Sequence, residues 1–273
     1  MNKLKIGIVG CGAIGSSLAK VIVQDLTQSA QLSALFDIDS TKAKGLSKKI
    51  SRRAALTAGS LKQLIGKSEL IIEATSAKVS WDIARNALAA GKDVMIMSVG
   101  GVANRLNQLT ALAKNNHSRV YIPSGALCGI DALKAANMGR INKVTLTTVK
   151  NPVSFKGVRY IQEKGIDLSK VKKDTVLFSG KASAAVKYFP QNINVAAVLS
   201  LAGIGINQTR VRIIVSPKVT RNIHEVRIES AAGNITARTE NVLHPDNPKT
   251  SYLAVLSAVA MLKQILGPVR IGT

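Results

Sequence analysis

The chain has 273 residues, 46% of them hydrophobic and only 7 of them proline, which is enough apolar material for one large core or two modest ones and excludes a disordered chain. No apolar run approaches the roughly 18 residues that a bilayer demands, and two cysteines exclude a disulfide scaffold and a four-cysteine zinc site. Lys and Arg number 38 against 15 Asp and Glu, a formal charge of +23 that attracts anions of any kind. Aromatic residues are 3% of the chain, too few for a base-stacking platform, so the expected partners are small carboxylates or phosphates and no specific nucleic acid. Most of the cations read as a solvated coat.

Residues 3–9 (KLKIGIV) read as a short buried strand, followed at once by the run Gly10-Cys11-Gly12-Ala13-Ile14-Gly15. The opening lysines and apolar run imitate a secretory leader, but the glycines break it, and the expected location is the cytoplasm with no membrane partner. Residues 16–26 carry Leu18, Ala19, Ile22 and Val23 at helical spacing, and a second strand, 32–36, ends at Asp37. Strand, glycine turn, helix, strand and acid make a right-handed βαβ unit of the length expected for dinucleotide binding.

The alternation continues. Helices are expected at 41–50, 61–65, 80–90 and 106–115, with strands at 69–74, 93–98 and 119–122. This is the pattern of a doubly wound parallel sheet of the Rossmann type. After Pro123 the pattern changes to a glycine-containing loop, 124–129, and a helix, 130–138. Strands follow at 143–150, 210–215, 224–230 and 234–240, with a helix at 195–202. This half reads as an α+β domain with a largely antiparallel sheet. Asn247 and Pro248 have the composition of a helix cap and first turn, and an apolar stripe follows. The expected organisation is a nucleotide-binding domain over 1–122, completed by a C-terminal helix over 248–273, and an α+β substrate domain over 123–247.

The glycine motif has specific physics. Gly10 permits the tight turn, Gly12 lets the backbone approach a diphosphate, and Gly15 lets the helix lie close to the strand. The helix N-terminus at Ala13 and Ile14 offers free N–H groups and a positive dipole end. Asp37 is placed to accept from a ribose 2′-hydroxyl, so NAD is the preferred cofactor. Lys42 and Lys44 stand where a 2′-phosphate would lie, which keeps NADP usable, although both also read as the solvated face of a basic helix. Thr75, Ser76, Ser98 and Gly100 sit at strand ends, where doubly wound sheets bind ligands. Cys11 reads as a small filler. Of the three histidines, His117 and His244 read as structural or exposed. His224, opening the 224–230 strand, is by default a satisfied polar group.

Four further runs change that reading: PSGALCGIDAL (123–133), FPQNINVAA (189–197), NIHE (222–225) and NPKTS (247–251). Together with IGIVGCGAIG at the start, they make the chain resemble the L-aspartate dehydrogenases over nearly its whole length. The resemblance implies a site between two domains and oxidation of L-aspartate by NAD or NADP to iminoaspartate, then oxaloacetate and ammonia. Iminoaspartate is the precursor that quinolinate synthase uses in NAD biosynthesis. It implies that His224 is catalytic, that Ala126 contacts the cofactor, and that Asn192, or else Asn194, does so too. The candidates for the substrate carboxylates are then Ser124 and Gly125 of the loop and Lys249 and Thr250 at the expected helix start, where Lys249 reads equally well as a solvated surface lysine. His224 either deprotonates the substrate ammonium or activates the water that hydrolyses the imine. A homodimer joined through the second sheet is expected. The competing readings are a reductase of the dihydrodipicolinate or homoserine type, and a nucleotide- or polyanion-binding protein without turnover. The +23 charge is a departure that the resemblance does not explain.

Overall fold

The computed structural model describes residues 2–51, 56–189, 193–245 and 247–273. They form two compact units, one of residues 1–123 and 255–270, the other of 124–254 and 271–273.

In the first unit β1 (Leu4–Val9), α1 (Ala13–Gln24), β2 (Ala30–Phe36), α2 (Ser40–Ile50), α3 (Leu61–Gly66), β3 (Leu70–Glu73), α4 (Ser80–Ala89), β4 (Asp93–Ile96), α5 (Leu106–Asn115) and β5 (Val120–Tyr121) follow in chain order. The strands are parallel, in the order β2-β1-β3-β4-β5. Strands β1, β3 and β4 are apolar and buried at nearly every position, as a sheet covered on both faces requires. The chain leaves β1 for β2 on one side and returns to β3 on the other. The switch point, and with it the ligand crevice of such a sheet, therefore lies at the C-terminal ends of β1 and β3.

The second unit continues with α6 (Ile130–Ala136), β6 (Ile141–Lys150), α7 (Arg159–Glu163), β7 (Thr175–Lys181), α8 (Ala182–Tyr188), α9 (Ile193–Ala202), β8 (Arg210–Val215), β9 (Asn222–Ser230), β10 (Gly233–Asn241), β11 (Leu243–His244) and β12 (Asn247–Ser251), and α10 (Tyr252–Leu266) follows. The five-stranded sheet runs β10-β9-β6-β8-β7 and is mixed: β6 and β8 are parallel, the other pairs antiparallel. Strand β7 and helices α7 and α8 are not among the elements expected from the sequence. Strand β7 hides because its burial does not alternate, and its register slips between Val176 and Phe178.

Two expectations are corrected. Asn247-Pro248 does not start a helix. Residues 247–251 are strand β12, paired with β11 through Leu243–Ser251 and His244–Asn247, and Tyr252 N–H donates to Val242 O at 2.9 Å. Pairing with the preceding segment overrides the local cap signature, so the helix starts at Tyr252. Strand β9 begins two residues before His224, which is an interior residue of the ladder. Helix α10 then places Val255, Ala258 and Leu262 in one apolar cluster with Ile6, Ile8, Leu18 and Ile22 of the first unit.

Candidate functional site

At the end of β1 the chain turns through Gly10, whose φ of +97° is left-handed. Its N–H donates to Phe36 O at 2.8 Å, tying the turn to the end of β2. Gly12, at the N-cap of α1, is exposed and has open space where a side chain would stand. Ala13, Ile14 and Gly15 form the first turn of α1. The Asp37 carboxylate accepts from Cys11 N–H at 2.8 Å and from Asp39 N–H at 2.9 Å. It is thereby fixed against the glycine turn, and a carboxylate still has lone pairs for a diol beyond those two bonds. The Cys11 thiol is pushed up to about 12 by burial and then by the Asp37 charge, so it is an inert filler.

Thr75, Ser76 and Ser98 lie at the ends of β3 and β4, and Gly100 in the short turn that follows β4. A residue that sequence reasoning missed organises them. Glu73, fully buried, accepts from Thr75 N–H at 2.7 Å, Thr75 Oγ1–H at 2.6 Å and Ser98 N–H at 2.9 Å. A carboxylate is acceptor-only, and here it meets three donors. Glu73→Gln would turn an amide donor toward one of them, leaving a buried clash of donors. We expect it to cost about 1–3 kcal/mol of stability and to weaken nucleotide binding, read by chemical denaturation and by NADH fluorescence titration. Unchanged values in both would remove Glu73 from this account.

In the second unit, strands β6, β9 and β10 stack side chains in rungs on one face. Two rungs are apolar: Val144, Ile228 and Ile235, then Leu146, Val226 and Ala237. The next is polar: Thr148, His224 and Thr239. Beyond it Asn222 pairs with Asn241, while Lys150 continues β6 two residues past Thr148, on the same face. Thr148 Oγ1 lies 3.1 Å from His224 Nδ1. Thr239 Oγ1–H and Asn241 Nδ2–H donate to Ala126 O at 3.0 and 3.1 Å. The β9–β10 pair thus brings the expected residues Ala126 and His224 together from positions about a hundred residues apart. Among the described residues Asn241 Oδ1 is buried without a partner. Such an acceptor suits a ligand N–H, the donor that a carboxamide or an ammonium carries.

Glu225, next to His224, faces the other side of the sheet, where Arg227 holds it at 2.7 Å and Arg238 at 3.7 Å. Ser124 and Gly125 lie half-buried in the loop that carries Ala126, and Asn194 is exposed on α9. Phe189 is buried against Tyr160 and Phe178, which anchors the start of the FPQN run. Asn192 lies outside the described residues. Lys249 and Thr250 stand on β12 rather than at a helix N-terminus, so the dipole argument for them as carboxylate ligands falls away.

Burial, and then the Lys150 charge, push the His224 imidazole down to about 3, and burial pulls Lys150 down to about 8. Both groups bind fewer protons in the fold than in the unfolded chain, so stability rises with pH between about 3 and 6.5 and again between about 8 and 10.5. We expect the thermal midpoint to climb from pH 4 to 6.5 and His224→Asn to flatten that climb. An equally steep climb in the variant would assign it to other groups.

Among the described residues no helix is long and apolar enough to cross a membrane. The family described as the NAD-binding domain of homoserine dehydrogenase matches residues 10–123, and that described as the C-terminal domain of aspartate dehydrogenase matches 131–265. An L-aspartate dehydrogenase of Methanosarcina acetivorans is 47% identical over 99% of this chain and 100% of its own, and one of Methanosarcina barkeri is 44% identical over the same shares. A solved aspartate dehydrogenase from Thermotoga maritima superposes with a TM-score of 0.73 at 25% identity, over 99% of this chain and 100% of its own. A homoserine dehydrogenase of Thiobacillus denitrificans shares the fold at 14% identity, with a TM-score of 0.64 over 97% of this chain and 74% of its own. A glycine turn between the first strand and helix, a buried histidine on a polar rung, and this relatedness from end to end agree: the chain belongs to the L-aspartate dehydrogenase family.

Proposed function

We propose that the chain oxidises L-aspartate with NAD, and with NADP as a usable second cofactor, to iminoaspartate and on to oxaloacetate and ammonia. The observation that carries this reading is the polar rung at His224, which follows two apolar rungs on the same sheet face. A bound nicotinamide would supply the acceptor for the hydride that leaves Cα of the substrate. The protein supplies position, electrostatics and proton handling.

His224 handles the proton. Thr148 Oγ1, 3.1 Å from Nδ1, holds the ring orientation, and in the tautomer that carries its proton on Nδ1 the Nε2 atom keeps its lone pair. Nε2 then takes a proton either from the substrate ammonium, which must become a neutral amine before C=N forms, or from the water that adds to the imine. Gly10, Gly12 and the first turn of α1, from Ala13 to Gly15, hold the diphosphate, and Asp37 holds the ribose. Thr75, Ser76, Ser98 and Gly100 flank the crevice of the first sheet. The Ala126 carbonyl, held by Thr239 and Asn241, and an asparagine at 192 or 194 orient the nicotinamide carboxamide. The Ser124–Gly125 backbone supports a substrate carboxylate. A role in NAD biosynthesis, a cytoplasmic location and a homodimer joined through the second sheet complete the reading; the last is checked by light scattering.

The deciding measurement is cofactor reduction by the purified chain over L-aspartate, L-alanine, L-glutamate and L-homoserine, with NAD and NADP in turn. L-Aspartate with NAD should give the highest kcat/KM. Preference for homoserine would move the chain to that reaction. Salt-sensitive retention on heparin without any turnover would favour a polyanion binder.

A further inference from the structure

Among the described residues Asn241 Oδ1 is the one buried side-chain polar atom without a partner, on a residue only 3% exposed. Turning the amide round would not satisfy it. Thr239 gives its one hydroxyl proton to Ala126 O at 3.0 Å, so its oxygen accepts from Asn241 Nδ2 at 3.0 Å, and Nδ2 also donates to Ala126 O at 3.1 Å. A flipped amide would set Oδ1 against the Ala126 carbonyl, acceptor against acceptor. Both donors of the amide are thus used and its acceptor is held open. The bond to Ala126 O is not what requires an amide, since Thr239 already makes one there.

On β10 Asn241 lies two residues past Thr239, the rung partner of His224, and on the same face, about 7 Å further along the strand. A single nitrogen can bridge such a gap, because each hydrogen bond spans about 3 Å. The α-amino group of an amino acid is a nitrogen of that kind. As an ammonium it carries three N–H, and once deprotonated it keeps two. A carbonyl oxygen suits every form it then takes. When hydride leaves Cα with its electron pair, the nitrogen lone pair closes the C=N bond, and the nitrogen becomes an iminium with both N–H in place. A neutral amide oxygen accepts from that cation more strongly than from the amine and does not remove its proton.

We propose that Asn241 is a substrate-binding residue whose Oδ1 accepts an N–H of the α-amino group oxidised beside His224. This rests on the reading of the chain as an aspartate dehydrogenase.

The test compares the full-length wild type with N241A and N241D. Each is titrated calorimetrically as its NADH complex, which cannot turn L-aspartate over, with L-aspartate and with succinate, the same dicarboxylate without the amine. N241A should lower the preference for L-aspartate over succinate by about tenfold or more, the loss expected for a hydrogen bond to a charged group. The kcat/KM for L-aspartate should fall by a similar factor or more. An amide with a merely structural role would weaken both ligands alike and leave their ratio unchanged. N241D keeps an oxygen acceptor and adds negative charge, so its preference for the amine should hold or rise, and it decides the matter if thermal denaturation shows N241A unfolded. NADH affinity should stay within about twofold in both variants. The proposal is overturned if folded N241A keeps the ratio within about threefold of wild type, or if N241D loses it. It is also overturned if NADH affinity falls while the ratio holds, which would assign Oδ1 to the cofactor carboxamide. Failure of the wild type to oxidise L-aspartate, with its preference for the amine still lost in N241A, would overturn the enzymatic reading alone.

Discussion

Replacing His224 by alanine should lower kcat for L-aspartate oxidation by ~10²–10⁴, the range for loss of a general base, while leaving NADH affinity near the wild-type value. The separation follows from the fold. His224 belongs to the second unit's sheet, whereas the glycine turn and Asp37 belong to the first. Removing the ring strands Thr148 Oγ1 and opens a buried gap, so some loss of stability accompanies the loss of rate, about 1–3 kcal/mol. His224→Asn tests the same point with less disturbance, since its amide can still bond Thr148 but cannot take up a proton at neutral pH. Initial rates beside NADH fluorescence titration read both quantities. A His224→Asn enzyme turning over within tenfold of wild type would take the imidazole out of the mechanism. The neighbouring Glu225 serves as a control: it faces Arg227 and Arg238 on the other side of the sheet, and its replacement should leave kcat within a few-fold.

The parts of this site that could be read from sequence are those written locally. Six consecutive residues and one acid after the next strand spell out the glycine turn, because Gly10 and Gly15 answer demands of the turn and helix they belong to and Gly12 leaves the helix start open. Glu73 escaped because its role depends on Ser98, 25 residues away on a neighbouring strand. The polar rung escaped for the same reason on a larger scale. Thr148 and His224 are 76 residues apart, and Ala126 and Asn241 are 115 apart. Only the register of β6, β9 and β10 makes them neighbours, and register between distant strands is not a local property. The misread helix start at Asn247 shows the opposite error: a well-formed local signal lost to backbone pairing with residues 242–244. His224 itself was identified through resemblance. From spacing alone it was an ordinary strand residue, and what distinguishes it physically is its burial beside Lys150.

The three glycines of the turn separate stability from binding, and the second large effect is expected there. A Cβ on Gly15 would stand 1.8 Å from Gly10 O and 3.3 Å from Ile8 Cγ2. The first contact is with backbone that also closes the turn, so α1 would have to move away from β1. Gly15→Ala should therefore cost about 3 kcal/mol or more and abolish measurable NADH binding with it. A Cβ on Gly10 would meet Ala74 O at 2.4 Å, and its φ of +97° adds backbone strain, so the same outcome is expected there. Gly12 is the contrast. Its φ of −73° suits any residue, and a Cβ there touches nothing within 4 Å. Its lack of a side chain serves no contact within the protein, so it is explained only by what must approach from outside. Gly12→Ala should leave the denaturation midpoint near wild type, within about 0.5 kcal/mol, yet weaken NADH binding by about tenfold or more, the cost of roughly 1.4 kcal/mol when a methyl group keeps the diphosphate from the helix N-terminus. A Gly12→Ala protein that binds NADH as tightly as wild type would mean that the diphosphate does not lie on this turn, and the nucleotide-binding role of the first unit would have to be sought elsewhere on its sheet.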